Sequence, residues 1–271
     1  MKKILALALC ALMVAVCFVG CGTTPAQTDA APTTTAAADA AAETEAAPAK
    51  QETLVMGTNA TFPPYEFVDD NGKIVGIDAE IAAAIADKLG ATLEIKDMEF
   101  DSLIPAVQNG AIDFAMAGMT VTEERKLSVD FSDTYAQGVQ VVIVPENSTI
   151  ASIDDLDGKM IGVQSGTTGD IYCTGDYGED HVKQFTNGAL AVAALQNGQV
   201  DCVVIDNEPA KNFVAANAGL KILDTAYAEE DYAIAIAKTS SELLKNVNDA
   251  LAALKADGTV AKIIEKYIPA N

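Results

Sequence analysis

Ala106-Val107-Gln108-Asn109-Gly110-Ala111-Ile112-Asp113 recurs 88 residues later as Ala194-Leu195-Gln196-Asn197-Gly198-Gln199-Val200-Asp201. Each copy reads as a helix end, an Asn-Gly stop and entry into an apolar strand. The first strand runs into Gly118-Met119-Thr120 and the second into Asp206-Asn207-Glu208. A repeat this widely spaced implies two similar α/β lobes, not a solenoid of short units. Ligands of open α/β sheets bind beyond the carboxyl ends of the strands. Polar groups at those ends in both lobes therefore suggest a cleft between them.

The rest of the chain extends this pattern. From Gln51 onward, β-rich runs alternate with helical ones. Leu54 to Met56, Met160 to Val163 and Cys202 to Ile205 read as short buried strands. Asp78 reads as the N-cap of a helix ending near Gly90, with Ile77, Ile81, Ile85 and Leu89 spaced at four. Glu242 to Leu254 and Val260 to Tyr267 read as helices parted by Asp257-Gly258. The alternation predicts an α/β fold whose lobes are each a mainly parallel sheet flanked by helices. The expected division is a first lobe from 51–136 and 231–271, with a second lobe from 137–230. The chain then crosses between them twice, around Tyr135 to Val141 and around Glu229 to Ala233.

Upstream, Met1 to Gly20 reads as a secretory signal: Lys2 and Lys3, then an apolar stretch from Ile4 to Val19. That stretch is shorter than the ~20 residues a membrane-spanning helix needs. Gly20-Cys21-Gly22 resembles the bacterial lipobox, which implies lipidation of Cys21 and anchoring to the outer face of a membrane. Of the 29 residues from Gly22 to Lys50, 22 are Ala, Thr or Pro, and none is Val, Leu, Ile or aromatic. Such a segment buries too little apolar area to offset the entropy of ordering, so 21–50 is expected to be a disordered tether.

Charge narrows the partners. Against 39 acids stand 17 bases, a net charge of −22 in 271 residues. Nucleic acid would demand clustered Lys and Arg, and a polybasic grip on lipid is equally excluded. One His and five Cys leave little room for metal or catalytic constellations, and no metal or cofactor is implied. Cys173 and Cys202 are the only thiols in the part expected to fold; they are either a disulfide or two buried free thiols. His181, between acids, reads as solvated surface.

Four clusters follow predicted strands. Thr58-Asn59-Ala60-Thr61-Phe62-Pro63-Pro64-Tyr65-Glu66-Phe67 is a proline-fixed loop offering three aromatic faces, although Tyr65 and Phe67 serve equally well as cover for a core edge. Gly118 to Arg125 contains the sole arginine of the chain, near a strand end where Thr122 opens a short helix. A surface ion pair is the plain account of Arg125, but one planar fork among lysines also suits carboxylate recognition. Gln164-Ser165-Gly166-Thr167-Thr168-Gly169 is a hydroxyl-rich loop before a helix, either a simple cap or a set of N–H groups for an anion. Asp206 is a helix cap or a carboxylate for an ammonium group. An Arg fork, an N–H loop and an acid at converging strand ends match a zwitterionic amino acid.

These residues also carry a family likeness. Thr61 to Phe67, Phe100-Asp101-Ser102-Leu103-Ile104-Pro105-Ala106, Thr120 to Arg125, Asp130-Phe131-Ser132 and Ser165 to Thr168 resemble the solute-binding proteins, family 3, of ABC importers for polar amino acids. The resemblance runs from about Thr53 to Ile268. It implies a type 2 periplasmic-binding fold that closes on its ligand, and a monomer that delivers an amino acid to permease subunits. By that resemblance Arg125 grips the α-carboxylate with N–H groups of Thr120 and Thr168. Asp206, the Gly118 carbonyl and the Thr120 hydroxyl take the α-ammonium, while Phe62 and Phe100 sandwich the side chain. Met119 and Thr167 belong to the same two loops. Asn59 and Gln164 occupy substrate-dependent positions, and being neutral they favour a neutral polar ligand such as glutamine or cystine. Glu66 leaves a basic amino acid open. The alternatives are an enzyme of the same fold acting on small carboxylic acids, and a sensor domain.

Overall fold

The computed structural model describes residues 52–269. The signal sequence, Cys21 and the tether lie outside the described residues. Two sheets dominate. The first runs in the order Thr92–Asp97, Thr53–Thr58, Phe114–Ala115, Ala235–Ile236, Asp130–Phe131. The second runs Val182–Phe185, Ile161–Gln164, Cys202–Asp206, Ala136–Pro145, Leu220–Ile222, with Ala228–Tyr232 also paired to Ala136–Pro145. The expected parallel pairing is present as the first three strands of each sheet. Antiparallel strands complete both sheets, because the chain leaves each lobe and returns to it in the opposite sense.

The repeat is visible in atomic detail. Helices Leu103–Gln108 and Gly188–Gln196 both end at an Asn followed by a glycine with positive φ, Gly110 at 74° and Gly198 at 66°. Ala111 N–H bonds Ala106 O at 3.0 Å and Gln199 N–H bonds Ala194 O at 2.9 Å. Gly110 N–H bonds Val107 O, and Gly198 N–H bonds Leu195 O. This is the Schellman arrangement, twice, and only glycine adopts its left-handed turn without strain. The closing aspartates match as well. Asp113 accepts Val55 N–H at 2.7 Å and Asp201 accepts Met160 N–H at 2.8 Å, tying the first turn to Thr53–Thr58 and the second to the residue just ahead of Ile161–Gln164, each the middle of three parallel strands.

Helix Ile77–Leu89 buries Ile77, Ile81 and Ile85 against the first sheet and against helices Ser241–Ala256 and Thr259–Tyr267. Its boundary differs from expectation. Gly76 takes the N-cap position, so Asp78 lies inside the first turn and points into the protein. Every residue of Cys202–Asp206 is buried, as befits a strand covered on both faces. Cys173 and Cys202 are free thiols in one apolar cluster, and burial pushes each up to about 12. His181 is half-buried and closes the short turn Glu179–His181.

After Phe131 the chain enters the second sheet through Ala136–Pro145, and it returns through Ala228–Tyr232 to Ala235–Ile236. The two crossing strands pair with each other, Gln140 opposite Ala228 and Ala136 opposite Tyr232. Gly138 has no side chain where the Tyr232 ring passes over this ribbon.

Candidate functional site

The loops at the carboxyl ends of Thr53–Thr58, Phe114–Ala115, Ile161–Gln164 and Cys202–Asp206 meet around one cavity. Asn59, Phe62, Phe100, Gly118, Thr120 and Arg125 line it from the first lobe; Gln164, Thr167, Thr168 and Asp206 line it from the second. Its free space is about 300 Å³, of which about 10 Å³ admits the centre of a water-sized sphere. The site is therefore a narrow slot with walls close on both sides. A dinucleotide is too large for it. Met119 does not line the slot: its side chain is buried with Leu103, Ile112 and Val129, and its carbonyl accepts Ala233 N–H.

Local sequence explains how each group is held. Thr122 caps helix Glu123–Ser128 by accepting Arg125 N–H at 3.1 Å, which fixes the arginine backbone. The buried guanidinium gives Nη1–H to Thr120 O at 2.7 Å and Nη2–H to Gly166 O at 3.0 Å, so it touches both lobes. Its carbon lies 5.4 Å from the centre of the Phe100 ring. Thr167 caps helix Thr168–Tyr177, so the first N–H groups of a ten-residue helix open beside the cavity. Asn59 is held on both sides: one Nδ2–H bonds Met98 O, and its Oδ1 accepts Thr61 Oγ1–H and Gln164 Nε2–H, the last at 2.9 Å.

Asp206 sits at the N-cap of helix Asn207–Ala216 but makes no capping bond. Its carboxylate instead accepts the Tyr232 hydroxyl and Gln140 Nε2–H, both from the crossing ribbon. Gln140 also reaches Glu230 at 3.0 Å, and Glu230 accepts the Thr120 hydroxyl at 3.0 Å. Gln140, Glu230 and Tyr232 are parts of the site that sequence reasoning missed. Glu230 lies in Ala228-Glu229-Glu230-Asp231-Tyr232, a run that looks like a solvated acidic strand. Glu66, the residue that leaves a basic amino acid open, lines the cavity directly and is completely buried.

The electrostatics follow from this crowding of acids. Burial pushes the Asp206 carboxyl up to about 7; Glu230 adds to the rise, while the Tyr232 and Gln140 bonds oppose it. Burial also raises Glu66 well above the ordinary carboxylate range, helped by Asp78 and Asp206. Arg125 is drawn down by burial and supported by Glu230 and Asp206. A slot with one cation at one end and carboxyl groups elsewhere suits a ligand with one anionic group and cationic or hydrogen-bond-donating groups.

Comparison with known proteins agrees with this geometry. The family model of bacterial extracellular solute-binding proteins, family 3, matches residues 54–270. A probable histidine-binding protein of Neisseria gonorrhoeae is 37% identical over 219 residues, spanning 78% of this chain and 81% of that protein. An ancestral arginine-binding protein solved bound to glutamine is 46% identical, with a TM-score of 0.78 over 82% of this chain and 100% of that one. Another ancestral arginine-binding protein structure, bound to arginine, is 48% identical, with a TM-score of 0.75 over 80% and 99% of the two chains. The enzyme reading falls with these matches, since the family and its relatives are transport proteins. The chain belongs to the bacterial extracellular solute-binding proteins, family 3, and is an amino-acid-binding protein of ABC importers.

Proposed function

We propose that this receptor captures an amino acid with a cationic side chain, arginine before all others, in the slot between its lobes. One observation carries the reading. The cavity-lining side-chain atoms that are buried without a partner are Glu66 Oε1, Glu66 Oε2 and Gln164 Oε1, and all three are acceptors. Donors on a ligand side chain satisfy these oxygens once Glu66 is ionised, and a guanidinium carries five N–H groups with a matching charge. The expectation of a neutral ligand leaned on Asn59 and Gln164, but Asn59 Oδ1 is already spent on Thr61 and Gln164, and one of its N–H groups on Met98. Relatives named for histidine and arginine support the cationic reading, and the glutamine-bound one makes a donor-bearing amide the natural competitor to test. Within the slot, Arg125 takes the α-carboxylate, Asp206 the α-ammonium, and Phe62 and Phe100 flank the side chain.

A thermal-shift screen of the twenty amino acids and cystine tests this, since a ligand at 100 times its Kd stabilises by about 2.7 kcal/mol. Arginine is expected to give the largest shift. Glu66→Gln should weaken arginine at least about tenfold (about 1.4 kcal/mol) and leave glutamine nearly unchanged. Equal losses for both ligands, or a larger wild-type shift with cystine, would overturn the assignment.

The receptor works from the outer face of the membrane, held by lipid on Cys21 and the Gly22–Lys50 tether. The Cys after a small residue at the end of the apolar leader supports this. Cys21→Ser is expected to move the protein from the membrane fraction to the soluble extracytoplasmic fraction; an unchanged membrane fraction would remove the lipid from the account.

A further inference from the structure

Behind the cavity wall, Glu66 meets Asp78. Glu66 comes from the strand Glu66–Val68 and Asp78 from the first turn of helix Ile77–Leu89; both are completely buried. Asp78 N–H bonds the carbonyl of Tyr65, the residue before Glu66, at 2.9 Å, so the two acids leave adjoining backbone and their carboxyl groups face each other. Asp78 Oδ2 accepts Gly118 N–H at 2.8 Å and the Tyr135 hydroxyl at 2.7 Å. Asp78 Oδ1 and both Glu66 oxygens have no donor. Two ionised carboxylates so placed repel each other and leave three bare oxygens out of water. One proton converts the contact into an O–H···O bond. The two donors on Asp78 stabilise its ionised form, so the proton belongs on Glu66 and points at Asp78 Oδ1.

We propose that Asp78, which does not line the cavity, is a specificity-determining residue: it shares one proton with Glu66, and that proton sets whether the slot takes a neutral amide or a cationic side chain. The proposal rests on the amino-acid reading above. While the proton stays, Glu66 offers a carbonyl oxygen, enough for an amide N–H. A guanidinium needs the carboxylate. As it enters, the Glu66 O–H bond breaks, the proton leaves to solvent, and N–H···O bonds form to the ligand, with Asp78 remaining ionised on Gly118 and Tyr135.

The surroundings favour the proton. Besides Asp78, the acids facing Glu66 are Asp206, at the end of the second-sheet strand, and Asp97, at the end of Thr92–Asp97. Tyr65 and Tyr135 face it as neutral phenols, since burial and these same acids push their hydroxyls up. Among the described residues, Arg125 is the only cation on the cavity wall. Burial pushes Asp78 up to about 6 against the pull of its donors, and burial together with the neighbouring acids raises Glu66 well above the ordinary carboxylate range.

The test is calorimetry of the full folded receptor with arginine and with glutamine, each at neutral pH in phosphate and in Tris, whose ionisation heats differ. Arginine is expected to release close to one proton more than glutamine, and its affinity should climb with pH while that of glutamine climbs less. Asp206 meets the ammonium of either ligand, so its contribution cancels in the difference. Asp78→Asn keeps an acceptor for Gly118 and Tyr135 and turns an N–H toward Glu66. It should bind arginine with the extra proton release gone, and it should weaken glutamine. A merely structural Asp78 would instead shift both affinities together and leave the proton difference in place. Equal proton counts for both ligands in the wild type would overturn the proposal.

If arginine fails to bind at all, the cationic reading falls separately. The infrared C=O stretch of a protonated carboxyl then decides the proton pair in the ligand-free protein. Such a band in the wild type that Glu66→Gln removes would uphold the shared proton; spectra without that difference would sink it. This readout also stands if Asp78→Asn does not fold.

Discussion

Arg125→Lys is expected to weaken every α-amino acid roughly 30-fold to several thousand-fold, the equivalent of the ~2–5 kcal/mol lost when a buried hydrogen-bonded charge pair is broken. The guanidinium has geometric duties that an ammonium cannot share. One nitrogen is committed to Thr120 O and another to Gly166 O, and the plane lies over Phe100. Nη1, Nη2 and Nε each keep one N–H in a rigid plane on a residue that lines the slot, and such a fork suits the two oxygens of a carboxylate. Lysine keeps the charge but has one nitrogen for all of these positions. Loss should therefore be uniform across arginine, glutamine and their homologues, because the α-carboxylate is common to all. Calorimetry with an unchanged far-ultraviolet dichroism spectrum is the check. Wild-type affinity in Arg125→Lys would take Arg125 out of the binding site.

Asp206→Asn is the companion experiment, with a selective signature. Its carboxylate is held by the Tyr232 hydroxyl and Gln140 Nε2–H, a setting that asparagine only half reproduces while removing the charge. Amino acids should weaken by at least about 30-fold (about 2 kcal/mol), whereas des-amino analogues of the same ligand should change far less. Parallel losses in both classes would reduce Asp206 to a strut between the lobes and send the ammonium elsewhere, with Glu230 the next carboxylate in line.

Features carried by consecutive residues were the ones readable in advance. The Asn-Gly stops, the caps at Thr122 and Thr167 and the single arginine all sit within a few positions of the partners that give them meaning. Asp78 misled because an aspartate at the start of a run of four-spaced isoleucines has the look of a cap. Gly76 takes that place, and the true partners of Asp78 are Gly118 and Tyr135, 40 and 57 positions away. Gln140, Glu230 and Tyr232 were silent for the same reason. Their contact with Asp206 and Thr120 depends on two strands pairing across the crossing ribbon, and no short window of sequence contains both.

The order of strands also has a bearing on how the molecule is made. The second sheet draws on one continuous stretch, from Ala136 to Tyr232, and needs nothing outside it. The first sheet cannot close on its own. Ala235–Ile236 sits between Phe114–Ala115 and Asp130–Phe131, and Ile77–Leu89 is covered by helices that follow still later. In a chain emerging from its N-terminus, the early residues therefore wait with an open sheet edge and a bare apolar helix face while the inserted lobe forms. The final strand and the two helices after it seal the first lobe. A molecule truncated before Ala235 would keep a complete second lobe and both crossing strands, yet it would present half a binding site on an unfinished support.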